Sequence, residues 1–111
     1  MSFDIGIDIE EISRFSSKQY DTNKSFYNKI FTKHEIDYCI KKTNPYPHFT
    51  ARFCAKEAAI KACDKKILNL KTIEIIIIDD KPNIKLPENK IGVVSLSHTD
   101  QYAIAIVMTL N

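Results

Sequence analysis

Apolar and polar residues alternate with a period of two at the start of the chain. Phe3, Ile5, Ile7 and Ile9 interleave with Asp4, Gly6, Asp8 and Glu10, which predicts a strand with one apolar and one acidic face. Residues 11–19 read as a short helix, and Phe26, Tyr27, Ile30 and Phe31 fall at helical spacing within a second helix over 21–31. Thr32 and Glu35 have the spacing of a capping box opening a third helix. That helix should stop near Thr43, because Asn44-Pro45-Tyr46-Pro47 does not carry it on. Residues 48–64 are rich in alanine and lack glycine and proline, the pattern of a long helix. A β-rich half follows: a β-branched run at 72–78, a short strand at 84–86, and strands at 93–97 and 102–110. The last two are joined by His98-Thr99-Asp100-Gln101 as a hairpin connection. Strand, then helices, then strands, in 111 residues, describes a single α+β domain over 1–111.

The long helix carries the first chemical signal. On a helical wheel Thr50, Glu57, Lys61 and Asp64 fall within roughly 60° of one another, and Arg52 and Lys56 form a second narrow stripe. The remaining positions are almost all apolar, which predicts a buried helix. Glu57 and Lys61 therefore read either as charges projecting from a packed element or, equally, as an i,i+4 pair on a narrow solvated face. Asp8, on the acidic face of the first strand beside Gly6, supplies a second carboxylate. One carboxylate on a strand facing another on a helix suits a hard cation such as magnesium, which takes one or two carboxylates, waters and phosphate oxygens. A third signal is Ser95-Leu96-Ser97-His98-Thr99, where alternation puts both serines on one face and His98 at the strand end. His34 and His48 read as structural or exposed.

Composition narrows the field. A net charge of +2, from 16 basic residues scattered among 14 acidic ones, forms no phosphate-tracking stripe and argues against nucleic acid. A local basic patch for an acidic partner remains compatible with it. Three cysteines, an odd number with no C-x-x-C pair, read as thiols of a reducing compartment. The N-terminus has no basic region followed by an apolar run, and no apolar stretch approaches about 20 residues. The expected location is cytoplasmic, without a membrane span. With two glycines in the chain, a Gly-rich phosphate loop is excluded. A phosphate ester would have to be held by cationic side chains, helix ends or a metal.

Taken in order, Gly6-Ile7-Asp8, then Arg52-Phe53-Cys54-Ala55-Lys56-Glu57-Ala58-Ala59-Ile60-Lys61-Ala62, then Ser95-Leu96-Ser97-His98 resemble the holo-acyl-carrier-protein synthase family of 4'-phosphopantetheinyl transferases. The resemblance spans nearly the whole chain. It implies transfer of the phosphopantetheine arm of coenzyme A onto a serine of apo acyl carrier protein, with release of adenosine 3',5'-bisphosphate. By the same resemblance Asp8 and Glu57 are the magnesium-binding carboxylates, and Lys61 sits by the reacting phosphate. Arg52, Lys56, Ser97, His98 and Thr99 match or adjoin positions that line the coenzyme A site. Arg14 matches a basic residue on the helix that docks the acidic carrier protein. The resemblance also implies a homotrimer with shared sites, His98 reaching Asp8 and Glu57 of a neighbouring subunit.

Several readings stay open at this level. Either Glu57 or a metal-bound water takes the serine proton. Glu10, on the same side of the strand as Asp8, is a possible extra ligand. Many relatives continue after Lys61 into a glycine-containing turn. Here Ala62-Cys63-Asp64-Lys65-Lys66 follows, with Lys65 and Lys66 as electrostatic replacements for lost backbone contacts. A non-catalytic module binding coenzyme A or a carrier protein, and a hydrolase of coenzyme A or related pyrophosphates, are the competing readings.

Overall fold

In the computed structural model, residues 2–63 and 69–110 are described. The expected end of the long helix at Asp64, and Lys65 and Lys66, lie outside the described residues. Strand β1 (Phe3–Glu11) is followed by a single turn of helix α1 (Ser13–Ser16), a 3-10 turn at Tyr20–Thr22, then α2 (Lys24–Ile30), α3 (Lys33–Ile40) and α4 (Tyr46–Ala62). A second 3-10 turn at Leu70–Thr72 leads into β2 (Glu74–Ile78), β3 (Lys81–Lys85), β4 (Ile91–His98) and β5 (Tyr102–Leu110). The domain is thus α+β, with β5 central in an antiparallel sheet of order β1-β5-β4 and β2-β3 as a separate hairpin.

The departures from expectation have local causes. Asn23 lies off the helical region at φ −137° and divides the expected 21–31 helix into a 3-10 turn and α2. The helix expected to reach Thr43 ends at Ile40. Its start is as read: Thr32 accepts from the Glu35 backbone N–H, and the Glu35 carboxylate accepts from Thr32. Helix α4 begins at Tyr46 rather than 48, since Pro47 sits in the first turn, where its missing N–H has no helical partner to lose. Pro82 lies inside β3 opposite Ile77, a position that an edge strand tolerates.

Helix α4 is the axis of the core. Phe49 and Phe53 enter an aromatic cluster with Phe15, Tyr27 and Phe31 from α1 and α2. Ala51, Cys54 and Ala55 lie against Ala103 and Ala105 of β5, and Ala58, Ala59 and Ala62 against Ile73 and Val107. Small residues on both sides let helix and sheet approach closely, so the fit depends on volume at every position.

Of the two faces of strand β1, the acidic one is turned inward. Its Gly6 and Asp8 side faces α4, while Phe3, Ile5, Ile7 and Ile9 are 54–65% exposed. Ile91 and Val93 of β4 and Ile106 and Met108 of β5 are exposed as well, giving the three-stranded sheet an uncovered apolar outer face. Among the described residues no helix is long and apolar enough to cross a membrane.

Candidate active site

Gly6 brings the first part of the site together. A Cβ there would collide with the carbonyl oxygen of Ala58 and come within 3.0 Å of Ala62 N. Only glycine lets β1 lie this near α4, and Asp8, two residues on, is delivered to the same side of the strand. From the last turn of α4, Lys61 Nζ donates to the Ile7 carbonyl oxygen at 2.9 Å and to Asp8 Oδ1 at 3.2 Å. The Asp8 side chain is 17% exposed and that of Lys61 55%, so the pair stands at a rim open to solvent. Glu57, one turn earlier on α4, is half-buried. It takes part in no ion pair among the described residues.

Cys54 lies beneath these carboxylates. Its thiol is pushed up to about 12, first by burial, then by the charge and hydrogen bond of Asp8, with smaller contributions from Glu10 and Glu57. The charges of Asp8, Glu10 and Glu57 are thus all felt at this position on α4. Among the described residues no group of three His, Cys, Asp or Glu side chains is arranged to hold a metal. Asp8 and Glu57 offer two hard oxygen donors at an open rim. That donor set suits a cation which takes most of its ligands from water and phosphate, as magnesium does.

The second part is cationic and lies at the other edge of the sheet. Arg52 is 2% exposed. Its guanidinium lies 4.3 Å from the centroid of the Tyr38 ring, and Nη1 donates to the His48 carbonyl oxygen at 3.2 Å. Its Nε is buried with no hydrogen-bond partner among the described residues. A buried charged donor left open in this way is costly unless an acceptor completes it. Lys42 Nζ is 4.6 Å from the same Tyr38 ring centroid. The rings of His48 and His98 are 6.1 Å apart, so the strand-end histidine joins Arg52 within one chain.

Other expected site residues are placed differently. Lys56 was expected to line the coenzyme A site, but its amine is fully buried against Glu35 Oε1 at 2.8 Å. It also donates to the carbonyl oxygens of Leu70 at 3.0 Å and Ile73 at 2.6 Å. Those three acceptors satisfy the ammonium group's three N–H bonds and leave none for a ligand. Ser97 is exposed on the outer side of β4 together with Ile91, Val93 and Ser95. The Thr99 hydroxyl oxygen accepts from the Gln101 and Tyr102 backbone N–H groups and closes the β4–β5 turn. Arg14 is on α1 as expected, half-exposed, with Nη1 2.8 Å from Glu10 Oε2 and its guanidinium 4.6 Å from the Phe53 ring centroid. Glu10 is thus paired with Arg14 on the side of β1 that also carries Asp8. Sequence reasoning passed over His48 and the Tyr38–Lys42 pair, since nothing in their spacing distinguishes them from surface residues.

Residues 4–107, nearly the entire chain, match the 4'-phosphopantetheinyl transferase superfamily. The chain belongs to this superfamily. Among curated members it is similar to the holo-[acyl-carrier-protein] synthase of Chlamydia caviae, 43% identical and covering 96% of this chain and 95% of that one. It is 42% identical to the namesake of Thermodesulfovibrio yellowstonii, over 94% of this chain and 95% of the other. The fold matches the Helicobacter pylori holo-[acyl-carrier-protein] synthase in complex with coenzyme A, with a TM-score of 0.83 and 28% identity over 96% of this chain and 99% of that one. The Bacillus anthracis synthase in complex with CoA (3',5'-ADP) matches with a TM-score of 0.81 and 28% identity, over 96% and 94% of the two chains. Both carboxylates and the lysine of the acidic rim lie inside the stretch that matches the superfamily.

Proposed function

We propose that this superfamily member is a holo-acyl-carrier-protein synthase. It transfers 4'-phosphopantetheine from coenzyme A to a serine of apo acyl carrier protein. The observation that carries the reading is the rim at which Gly6 seats Asp8 against Lys61, beside a Glu57 that makes no ion pair among the described residues. The serine oxygen bonds to the pantetheine-side phosphorus, the P–O bond to the nucleotide-side phosphate breaks, and adenosine 3',5'-bisphosphate leaves. Positioning and neutralisation of charge on the phosphate oxygens carry most such transfers. Lys61 donates to the transferring or leaving oxygens, exchanging its present contact with Asp8 for them. Glu57 is within the same rim to accept the serine proton. Asp8 and Glu57 would hold magnesium, which when bound supplies further positive charge to the pyrophosphate.

The cationic cluster of Arg52 and His98 is assigned to phosphate groups of coenzyme A, and Arg14 to the acidic surface of the carrier. Two features support completion of the site between copies, as a homotrimer. Asp8 sits on β1 and His98 on β4, on opposite edges of the sheet with β5 between them; two strand spacings and a two-residue offset in register set their backbones about 12 Å apart. The outer face of the same sheet is apolar and exposed, as interfaces are before assembly. One copy would then supply Asp8, Glu57 and Lys61, and its neighbour Arg52 and His98. The working place is the cytoplasm, where Cys39, Cys54 and Cys63 stay as thiols.

The test is intact-mass analysis of apo acyl carrier protein incubated with coenzyme A, magnesium and the enzyme, beside a Glu57→Ala control. A phosphopantetheine mass gain with the wild type and none with the variant is expected. Coenzyme A binding without any gain on several carriers would overturn the transferase reading in favour of a binding module.

A further inference from the structure

The cationic edge holds a histidine with no assigned role. His48 is half-buried, with its ring between that of Tyr38, at 6.2 Å, and that of His98, at 6.1 Å. Its backbone carbonyl accepts from Arg52. No hydrogen bond among the described residues engages its ring nitrogens. His98 Nδ1 lies 3.2 Å from the Thr99 carbonyl oxygen, which orients that ring and leaves its Nε2 available. Arg52 brings a third feature, a buried Nε–H without an acceptor. None of Lys42, His48, Arg52 and His98 takes part in an ion pair among the described residues.

We propose that His48 is a further substrate-binding residue, whose imidazolium joins His98 and the open N–H of Arg52 in receiving a doubly charged phosphate monoester at the nucleotide end of coenzyme A. The identity of the ligand rests on the transferase reading above; the cluster itself does not. Burial lowers the pKa of His48 below the usual 6.5, and the nearby positive groups lower it further. Those groups are Arg52 on its own helix, Lys42 after α3 and His98 at the end of β4, while the Tyr38 phenol adds no charge at neutral pH. A dianion placed among these cations reverses the balance of charge at the ring. Binding is therefore coupled to proton uptake by His48, and affinity strengthens as pH falls from 8 towards the histidine range. Below about pH 6 the phosphate takes its own second proton and the gain stops.

Isothermal titration calorimetry with adenosine 3',5'-bisphosphate at pH 6.5 and 8.0, in buffers of different ionisation heat, tests this. His48→Phe keeps an aromatic ring between Tyr38 and His98 and removes the titrating nitrogens. The ratio of affinities at the two pH values should be about three- to tenfold larger for the wild type than for the variant, as expected for one charge-assisted contact. Proton uptake should drop correspondingly in the variant. Equal ratios and equal proton uptake in the two proteins would overturn the role of His48. Failure of both proteins to bind either the bisphosphate or coenzyme A at either pH would overturn the transferase reading itself, a distinguishable result.

Discussion

Lys56 and Lys61 stand five residues apart on α4, and each meets a carboxylate, yet the two regions have opposite characters. Lys56 and Glu35 are both fully buried, and Glu35 also accepts from the backbone N–H groups of Thr32 and Ile75. Every donor and acceptor there is engaged within the fold. Lys61 and Asp8 are partly exposed and meet at a longer 3.2 Å, with the half-buried Glu57 alongside. A fully satisfied buried pair defines how α3, α4 and β2 fit together; a loosely held one at a rim is available to exchange its partner for a ligand. Charge on a buried helix is therefore not by itself a mark of chemistry. The state of its hydrogen bonds decides.

Three single substitutions and one double change probe this contrast, the single ones ordered by their expected effect on stability. Glu35→Gln leaves the Lys56 charge buried without its counter-charge and should cost about 3–5 kcal/mol in urea denaturation. The double change Glu35→Gln with Lys56→Met should recover part of that loss, because it removes the unpaired buried charge while the side-chain amide oxygen at position 35 can still accept from a backbone N–H. A single-variant cost below about 1 kcal/mol would erase the distinction between the regions. Gly6→Ala drives a methyl group onto the Ala58 carbonyl and should cost about 1–3 kcal/mol as overpacking. It should also lower transfer activity, since β1 must shift and carry Asp8 away from Lys61. Lys61→Met should move stability by no more than about 1 kcal/mol while lowering the transfer rate about 100- to 1,000-fold. Thermal melts beside the mass assay separate the two effects. A Lys61→Met protein as unstable as Glu35→Gln would make Lys61 a scaffold residue.

Much of the site was legible because its signals are local. The apolar wrapping of α4 made Glu57 and Lys61 conspicuous, and the capping box at Thr32 and Glu35 was visible in four residues. What was not legible depends on long-range packing. The pattern of β1 gives two faces but not which one meets the core. The choice falls to Gly6, whose missing side chain lets the backbone of β1 close on α4 and turns the isoleucines outward. Lys56 shared a polar stripe with Arg52 on the wheel, and only the return of the chain through Leu70, Ile73 and Ile75 shows it to be enclosed. His48 meets His98 across 50 residues of sequence, a proximity that spacing does not report. Lys65 and Lys66, read as substitutes for a glycine turn, lie outside the described residues.

The outward row of Phe3, Ile5, Ile7 and Ile9 sits on β1, an edge strand of the sheet. An uncovered apolar surface beside open backbone donors and acceptors invites indiscriminate strand pairing. A newly made chain is therefore most vulnerable for as long as that surface stays uncovered. The denser the population of such chains, the more often two bare edges collide, so the level of synthesis sets how much is lost to unwanted pairing.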